Sequence, residues 1–197
     1  MNRRNLTLGL VAGAGLVGGL AWSLRRSHSV PTGVTAAPTP ATGAVLAVEA
    51  APAASAALAS DLWSQRFDRP EGGELVMADL RGKPLLVNFW ATWCPPCVRE
   101  MPLLDQTAKA HAARGLQVVG LAIDGPTPVR DFLKKTPVSF PIGLAGFAGS
   151  ELARTLGDAS GGLPFTVLFN AQGEAVQHKL GETHADELKG WFSQLGI

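Results

Sequence analysis

Cys94 and Cys97 are the only two cysteines in the 197-residue sequence, and two residues separate them. Two thiols at this spacing can exchange with a disulfide on another protein. A purely structural disulfide is one alternative, but closing so small a ring gives only roughly 2 kcal/mol of stabilisation. A zinc site is another, but structural zinc usually needs four ligands, and no second cysteine pair or nearby histidine pair exists. The spacing therefore favours redox exchange.

The residues around the cysteines predict a strand followed by a helix. Residues 84–90 form a nearly continuous apolar run, which is typical of a strand buried on both faces. Pro95 and Pro96 are tolerated in a first helical turn, where backbone N–H groups have no partner within the helix. We therefore expect a helix to begin at Cys94 and to run towards residue 114.

This placement gives the two cysteines different predicted roles. Cys94 would lie at the amino end of the helix, where free N–H groups and the helix dipole favour negative charge and lower the thiol pKa. Cys97 would lie one turn further along the same face and be more buried. We expect Cys94 to attack a disulfide and Cys97 to resolve the mixed disulfide that forms.

Residues 86–102, which include Trp93-Cys94-Pro95-Pro96-Cys97, resemble the active-site segment of thioredoxin-like proteins of the TlpA and ResA type. The similarity extends from about residue 63 to the C-terminus. Such proteins are membrane-anchored, extracytoplasmic thiol-disulfide oxidoreductases, often reductants in cytochrome maturation or copper-site assembly. The resemblance implies a redox-active Cys94–Cys97 disulfide and a membrane-embedded thiol protein as the electron donor.

A second segment, near residue 164, is expected to face the disulfide. A proline at this place is cis in the family, which implies a cis Leu163–Pro164 bond and a Leu163 backbone that can pair with a substrate strand. Phe165 departs from the small polar residue that is common after this proline. The residues expected to contact substrate proteins are Trp93, Pro95, Pro96, Leu163, Pro164 and Phe165.

Glu100 follows Cys97 by one helical turn, and two interpretations of it stay open. The resemblance implies a proton acceptor for the buried thiol, which would require a partly buried carboxyl group with a raised pKa. The alternative is a surface carboxylate that complements the amino end of the helix. The four histidines are scattered and lack ligand spacing to the cysteines, so we expect solvated side chains and no metal site. They are His28, His111, His178 and His184.

The amino-terminal part of the chain predicts a membrane anchor. Residues 6–24 are uncharged and would span roughly 28 Å as a helix, close to the thickness of a bilayer's hydrocarbon core. A cleaved signal peptide, with the twin-arginine type as one form, is the competing interpretation, but Arg25-Arg26 are unfavourable for cleavage. We expect residues 1–26 to be the anchor of a single-pass protein of the bacterial inner membrane, with the C-terminal domain in the periplasm or otherwise outside the cytoplasm.

Two further regions complete the predicted organisation. Residues 27–60 are rich in proline and alanine and carry one formal charge, which is typical of a disordered tether. Residues 61–197 are long enough for one domain. Their strand and helix signals predict an α/β fold that resembles thioredoxin, with extra N-terminal strands and an α/β insert before residue 164.

Composition and motifs narrow the function classes. The net charge is +1, from 17 basic and 16 acidic residues, so nothing indicates a nucleic-acid surface. No phosphate-binding loop or dinucleotide fingerprint is present, so we expect no cofactor and electrons from another protein. A thiol peroxidase of the peroxiredoxin type is one rival, but Ala91 occupies the position, three residues before Cys94, where peroxiredoxins usually have a threonine. A copper(I) chaperone is a second rival, although such proteins usually space their cysteines more widely, and a redox-inert interaction module is a third.

Overall fold

The strands meet in one mixed sheet, and the strand Leu85–Trp90 ends shortly before the cysteines. The computed structural model describes residues 61–197. The elements in this part of the chain, in order, are β1 (Arg66–Asp68), β2 (Glu74–Val76), β3 (Leu85–Trp90), α1 (Pro95–His111), β4 (Gln117–Ala122), α2 (Pro126–Lys135), β5 (Ile142–Leu144), α3 (Ala148–Thr155), β6 (Phe165–Phe169), β7 (Ala175–Leu180) and α4 (Ala185–Gln194). Short 3-10 turns, Met77–Leu80 and Ala112–Arg114, follow β2 and α1.

The sheet order is β2-β1-β5-β4-β3-β6-β7. Strand β3 is parallel to β4 and antiparallel to β6, and all six of its residues are buried. This agrees with the prediction of a strand covered on both faces. The segment from α2 to α3, which includes β5, is the expected insert before the strand that begins at Phe165.

Alternate residues of β3 face two separate parts of the core. Val87 and Phe89 pack with residues of α3 and of the β1–β2 hairpin. Leu86 and Trp90 pack on the other side, with residues of α1 and α4. Because side chains alternate along a strand, Asn88 must face the same side as these two residues, towards α1.

The hairpin at the front of the domain differs in part from the prediction. The extra N-terminal strands expected from the resemblance are present as the β1–β2 hairpin, although no sequence signal marked β1 at Arg66–Asp68. Only Phe67 of the three β1 residues is buried, so the sequence carries too little alternation to indicate a strand. The turn between them uses Gly72 and Gly73 with φ values of +100° and +81°, which a side chain would disfavour.

The predicted anchor at residues 6–24 and the tether at residues 27–60 lie outside the described residues. Between residues 61 and 197, no helix is long and apolar enough to cross a bilayer.

Candidate functional site

The two cysteines form a disulfide at the amino end of α1. Their Cα atoms are 5.3 Å apart, and Cys94 is the N-cap residue of the helix. The Cys97 N–H donates a hydrogen bond to Cys94 Sγ at 3.3 Å. Pro95 and Pro96 occupy the first helical turn, where their missing N–H groups cost nothing. Cys94 is 4% exposed and Cys97 is fully buried, so the first sulfur lies nearer to the surface.

The expected substrate-facing residues divide into an exposed and a buried group. Trp93 is 66% exposed and Pro95 is also exposed, while Pro96 is half-buried. Leu163 is half-buried and packs against the same apolar cluster that contains both cysteines. The structure thus places Leu163 and the disulfide around a common group of side chains.

The peptide bond between Leu163 and Pro164 is cis, as the family resemblance implies. Pro164 is buried, and its carbonyl accepts a hydrogen bond from the Gly181 N–H at 2.8 Å. Phe165 is fully buried, and its ring centroid lies 6.0 Å from that of Phe89. Its side chain therefore has no surface that a substrate could touch in this conformation. The expectation of a substrate contact by this side chain must be corrected for that reason.

Glu100 is buried, with 1% of its surface exposed. Its Oε2 accepts hydrogen bonds from the Thr183 N–H at 2.7 Å and from the Thr183 hydroxyl at 2.9 Å. Its Oε1 accepts a hydrogen bond from Asn88 Nδ2 at 2.7 Å. Burial raises the pKa of Glu100; the hydrogen bonds from Thr183 and Asn88 oppose this rise, and the charge of Glu182 adds to it. Glu100 is thus buried with a raised pKa, as a proton acceptor for Cys97 would require, and it is not a surface carboxylate.

The two hydrogen-bond partners of the Glu100 carboxyl group were not predicted from the sequence, for different reasons. Asn88 carried a signal, because it is the one polar residue in the apolar run of β3. Thr183 carried none, because it lies 83 residues beyond Glu100 in a loop. A third polar residue, Thr166, pairs with Asn88 across β3 and β6 and receives a hydrogen bond from its Nδ2 at 3.0 Å.

Comparison with known proteins decides the family of this chain. A family profile described as Redoxin matches residues 47–194, which is most of the sequence. The chain belongs to the Redoxin family.

The name of a relative of this Redoxin protein agrees with the chemistry of the cysteines. It is 29% identical over 126 residues to "Thiol-disulfide oxidoreductase ResA" of Bacillus cereus, covering 64% of this chain and 70% of that protein. Taken with the Cys94–Cys97 disulfide, this identifies the protein as a thiol-disulfide oxidoreductase of the TlpA and ResA type.

Solved structures agree with the fold. StoA from Bacillus subtilis matches with a TM-score of 0.53 and 27% identity, over 65% of this chain and 95% of that one. A secreted Mycobacterium tuberculosis disulfide oxidoreductase, homologous to E. coli DsbE, matches with a TM-score of 0.56 and 24% identity, over 68% of this chain and 98% of that one. These likenesses support a thioredoxin-like α/β fold for the Redoxin domain.

A carboxylate that follows β4 holds the residue that precedes Trp93. Asp124 Oδ2 accepts hydrogen bonds from the Thr92 N–H at 3.1 Å and from the Thr92 hydroxyl at 2.5 Å. Its Oδ1 accepts one from the Gly125 N–H at 2.8 Å. In the Redoxin domain Asp124 fixes the chain just before the cysteines to the segment that follows the neighbouring strand.

A cavity of about 640 Å³ lies beside Trp93. It is bounded by the β1–β2 turn, by the segment that follows β4 and by Phe147, which is 92% exposed. Arg69 and Arg130 also line it. Because Asp68 and Asp124 line it as well, the cavity presents two aromatic side chains, two cations and two carboxylates next to the redox motif.

The histidines of the described part of the chain have separate surroundings. His111 lies 4.8 Å from the ring of Phe192, His178 is exposed on β7, and His184 precedes α4 as its N-cap residue. His28 lies outside the described residues. In residues 61–197, no group of three or more His, Cys, Asp or Glu residues could hold a metal ion.

Proposed function

We propose that this protein is a membrane-tethered, extracytoplasmic reductant of specific protein disulfides, of the kind used in cytochrome maturation or copper-site assembly. One observation carries the proposal: the cysteine pair begins a helix that also holds a buried carboxyl group one turn further on. A helix start favours the thiolate form of Cys94, and a buried Glu100 can exchange a proton with Cys97.

The reaction follows from the order of the two sulfurs. The Cys94 thiolate attacks one sulfur of a substrate disulfide, forming a mixed disulfide and releasing a substrate thiolate, which takes up a proton. Cys97 then loses its proton and attacks Cys94 Sγ, which forms the Cys94–Cys97 disulfide and releases the second substrate thiolate. The substrate gains two electrons, and the protein loses two.

Glu100 is proposed as the acceptor of the Cys97 proton. Residues three apart on a helix lie on the same face, and both side chains are buried. A carboxyl group whose pKa is raised by burial is better matched to a thiol than an exposed one. The proton can then pass to the departing substrate thiolate.

Substrate proteins are proposed to dock over the exposed part of the motif. Trp93 and Pro95 are accessible, and Leu163 is half-buried next to the cysteine cluster. The half-buried Pro96 would contribute to the same surface from the edge of this patch, and the buried Pro164 would support the Leu163 backbone beside it. These groups surround the first sulfur, which is the one that must reach the substrate.

The location and the electron donor are also part of the proposal. Residues 1–26 are proposed to anchor the chain in the inner membrane, with residues 27–60 as a tether and residues 61–197 in the periplasm. A membrane-embedded thiol protein would then return two electrons to the disulfide. The uncharged stretch at residues 6–24 and the resemblance to the TlpA and ResA type support this arrangement.

A trapping experiment tests the function. The full chain carrying Cys97→Ser is reduced and mixed with an oxidised substrate protein, and products are separated without reductant. We expect a covalent adduct that reductant releases, because the second sulfur needed for resolution is missing. The matched Cys94→Ser variant should form little adduct. Trapping by Cys94→Ser alone, or undiminished turnover by Cys97→Ser, would contradict the assigned order.

A further inference from the structure

Asn88 leaves a polar atom unpaired in the interior of the protein. The residue is fully buried, and its Nδ2 donates to Glu100 Oε1 at 2.7 Å and to Thr166 Oγ1 at 3.0 Å. Its Oδ1 is also buried and has no hydrogen-bond partner. Buried polar atoms without a partner are uncommon, because they lose their hydrogen bonds to water on folding. The Asn88 Oδ1 atom is therefore an unfavourable feature of this orientation of the amide.

The amide in this orientation suits only one charge state of its neighbour. An ionised carboxyl group accepts hydrogen bonds at both oxygens and donates none. A protonated one must donate a hydrogen bond through the oxygen that carries the proton. If Glu100 Oε1 carries the proton, Asn88 Nδ2 opposes it with another donor.

A half-rotation of the amide resolves this conflict. It would bring Asn88 Oδ1 to the place of Nδ2, where its two lone pairs can accept from Glu100 Oε1–H and from the Thr166 hydroxyl. A hydroxyl group can serve as donor or acceptor, so Thr166 fits both orientations. One end of the amide has no partner in either orientation, so the rotation adds no unpaired group.

We propose that Asn88 is a positioning residue for Glu100. The Asn88 side-chain amide rotates by half a turn when the Glu100 carboxyl group gains or loses a proton, and it keeps a hydrogen bond to Thr166 in both orientations. This inference rests on the proposed function, in which the Cys97 S–H bond breaks and a Glu100 O–H bond forms. Asn88 then keeps the carboxyl group in one place through both charge states, ready to receive the proton and to return it.

Other charged groups near Glu100 come from the surrounding elements. Glu182 precedes Thr183 and pairs with Arg99 of α1 at 2.6 Å. Lys179, the register partner of Thr166 on β7, pairs with Glu187 of α4. These pairs are at least partly exposed, whereas Asn88 and Thr166 are buried against the carboxyl group. In the reduced protein, the two cysteine thiols are additional titrating groups.

Side-chain amide resonances test the rotation directly. The full chain, in detergent and labelled with ¹⁵N-asparagine, contains only four asparagines: Asn2, Asn5, Asn88 and Asn170. We expect the Asn88 NH₂ signals to move with the midpoint of the Glu100 carboxyl ¹³C signal, and NOEs from these protons to Thr166 to disappear in the protonated form. In Glu100→Gln the Asn88 signals should not follow such a titration.

Asn170 provides the matched control. Its Nδ2 also donates to a carboxylate, Glu174 Oε2, at 2.8 Å. Its Oδ1, however, accepts the N–H groups of Gln172 and Glu174, each at 3.0 Å, which holds the amide in one orientation. The NOEs of the Asn170 NH₂ group should therefore persist across the titration. Asn88 NOEs that persist in the same way would overturn the proposal.

A rate measurement tests the consequence for Cys97. The reduced protein is mixed with a chromophoric aromatic disulfide, so that the Cys94 thiolate forms a mixed disulfide and releases one chromophoric thiol. Release of the second chromophoric thiol by Cys97 is then followed against pH. Asn88→Leu is expected to slow release about tenfold or more, because a small displacement of a proton-transfer group is costly. It should move the Glu100 midpoint by less than about one pH unit, since both charge states lose a partner. The control Thr107→Val, at a buried polar position of α1, should leave the rate unchanged.

The outcomes separate the two proposals. If Asn88→Leu shifts the Glu100 midpoint strongly but leaves the release rate unchanged, the positioning role is overturned. Asn88 would then act only as a hydrogen-bond donor to the ionised carboxyl group. If Glu100→Gln does not slow release, the assigned proton acceptor of the proposed function is wrong. The amide signals would still show whether Asn88 responds to the charge of Glu100.

Discussion

Glu100→Gln should make the protein progressively more stable than the wild type as pH rises. Burial raises the pKa of Glu100, so the folded state resists ionisation of this carboxyl group more than the unfolded chain does. Glutamine has nearly the same shape as a protonated glutamic acid, and it carries both an acceptor and donors. It therefore imitates the protonated form at every pH.

The magnitude follows from proton linkage. Between the unfolded-state pKa, about 4.5, and the raised folded-state value, the folded protein binds one proton more than the unfolded chain. The wild type therefore loses about 1.4 kcal/mol of stability for each pH unit in this window and levels off above it. The glutamine variant has no such loss. Near pH 4 we expect the two proteins to differ by no more than about 1 kcal/mol, roughly one neutral hydrogen bond.

Urea unfolding of the disulfide-intact proteins between pH 4 and 9 measures this difference. Glu187→Gln is the contrasting variant, because a hydrogen bond from Lys179 lowers the pKa of Glu187. The contribution of ionised Glu187 to folding stability is therefore fully present above its unfolded-state pKa, and it is lost only as the pH falls below that value. The Glu187→Gln difference should thus be flat above about pH 5. If the Glu100→Gln difference is also flat there, or if the wild type gains on it as pH rises, burial does not raise the pKa of Glu100.

Three further predictions concern two glycines and one partly exposed carboxylate. A Cβ at Gly149 would lie 2.6 Å from a neighbouring Cβ, so Gly149→Ala should destabilise the protein by about 1–3 kcal/mol. Gly190→Ala, in open space on α4, should stabilise it by about 0.5–1 kcal/mol in the same denaturant assay. Asp105 has its pKa lowered to about 2 by hydrogen bonds from Lys109 and Ser139. The stability advantage of wild type over Asp105→Asn should therefore be present above about pH 4 and shrink as pH falls towards 2, as thermal unfolding would show.

The sequence predicted those parts of the site that depend on neighbouring residues. The apolar run of β3, the two prolines and the cysteine spacing together placed Cys94 at the start of a helix, because each acts over one or two turns of chain. The same local logic placed Glu100 on the face of Cys97. It could not show that Glu100 is buried, because the group that covers it, Thr183, lies in a distant loop.

Long-range pairing explains the other omissions. Strand β1 is only three residues long, and it forms a strand because it pairs with β2 in a hairpin and with β5 at one register position. The hydrogen bonds from Thr92 to Asp124 join residues 32 positions apart. Neither arrangement leaves a periodic pattern in the sequence, whereas Asn88 could have been found as the polar exception in an apolar strand.

The elements that deliver the redox groups also build the surroundings of the buried carboxyl group. Strand β3 contributes Asn88 and leads directly into the loop that ends at Cys94. Strand β6 contributes Thr166 and begins immediately after Pro164. Because Asn88 and Thr166 are register partners, any shift of β6 against β3 would displace Pro164 and the hydrogen bonds to Glu100 together. The effect of substituting Asn88 or Thr166 should therefore be measured in both a substrate-binding assay and a proton-transfer assay. A change in the proton-transfer assay alone would indicate the loss of a polar contact, because a change in sheet register would alter the results of both assays.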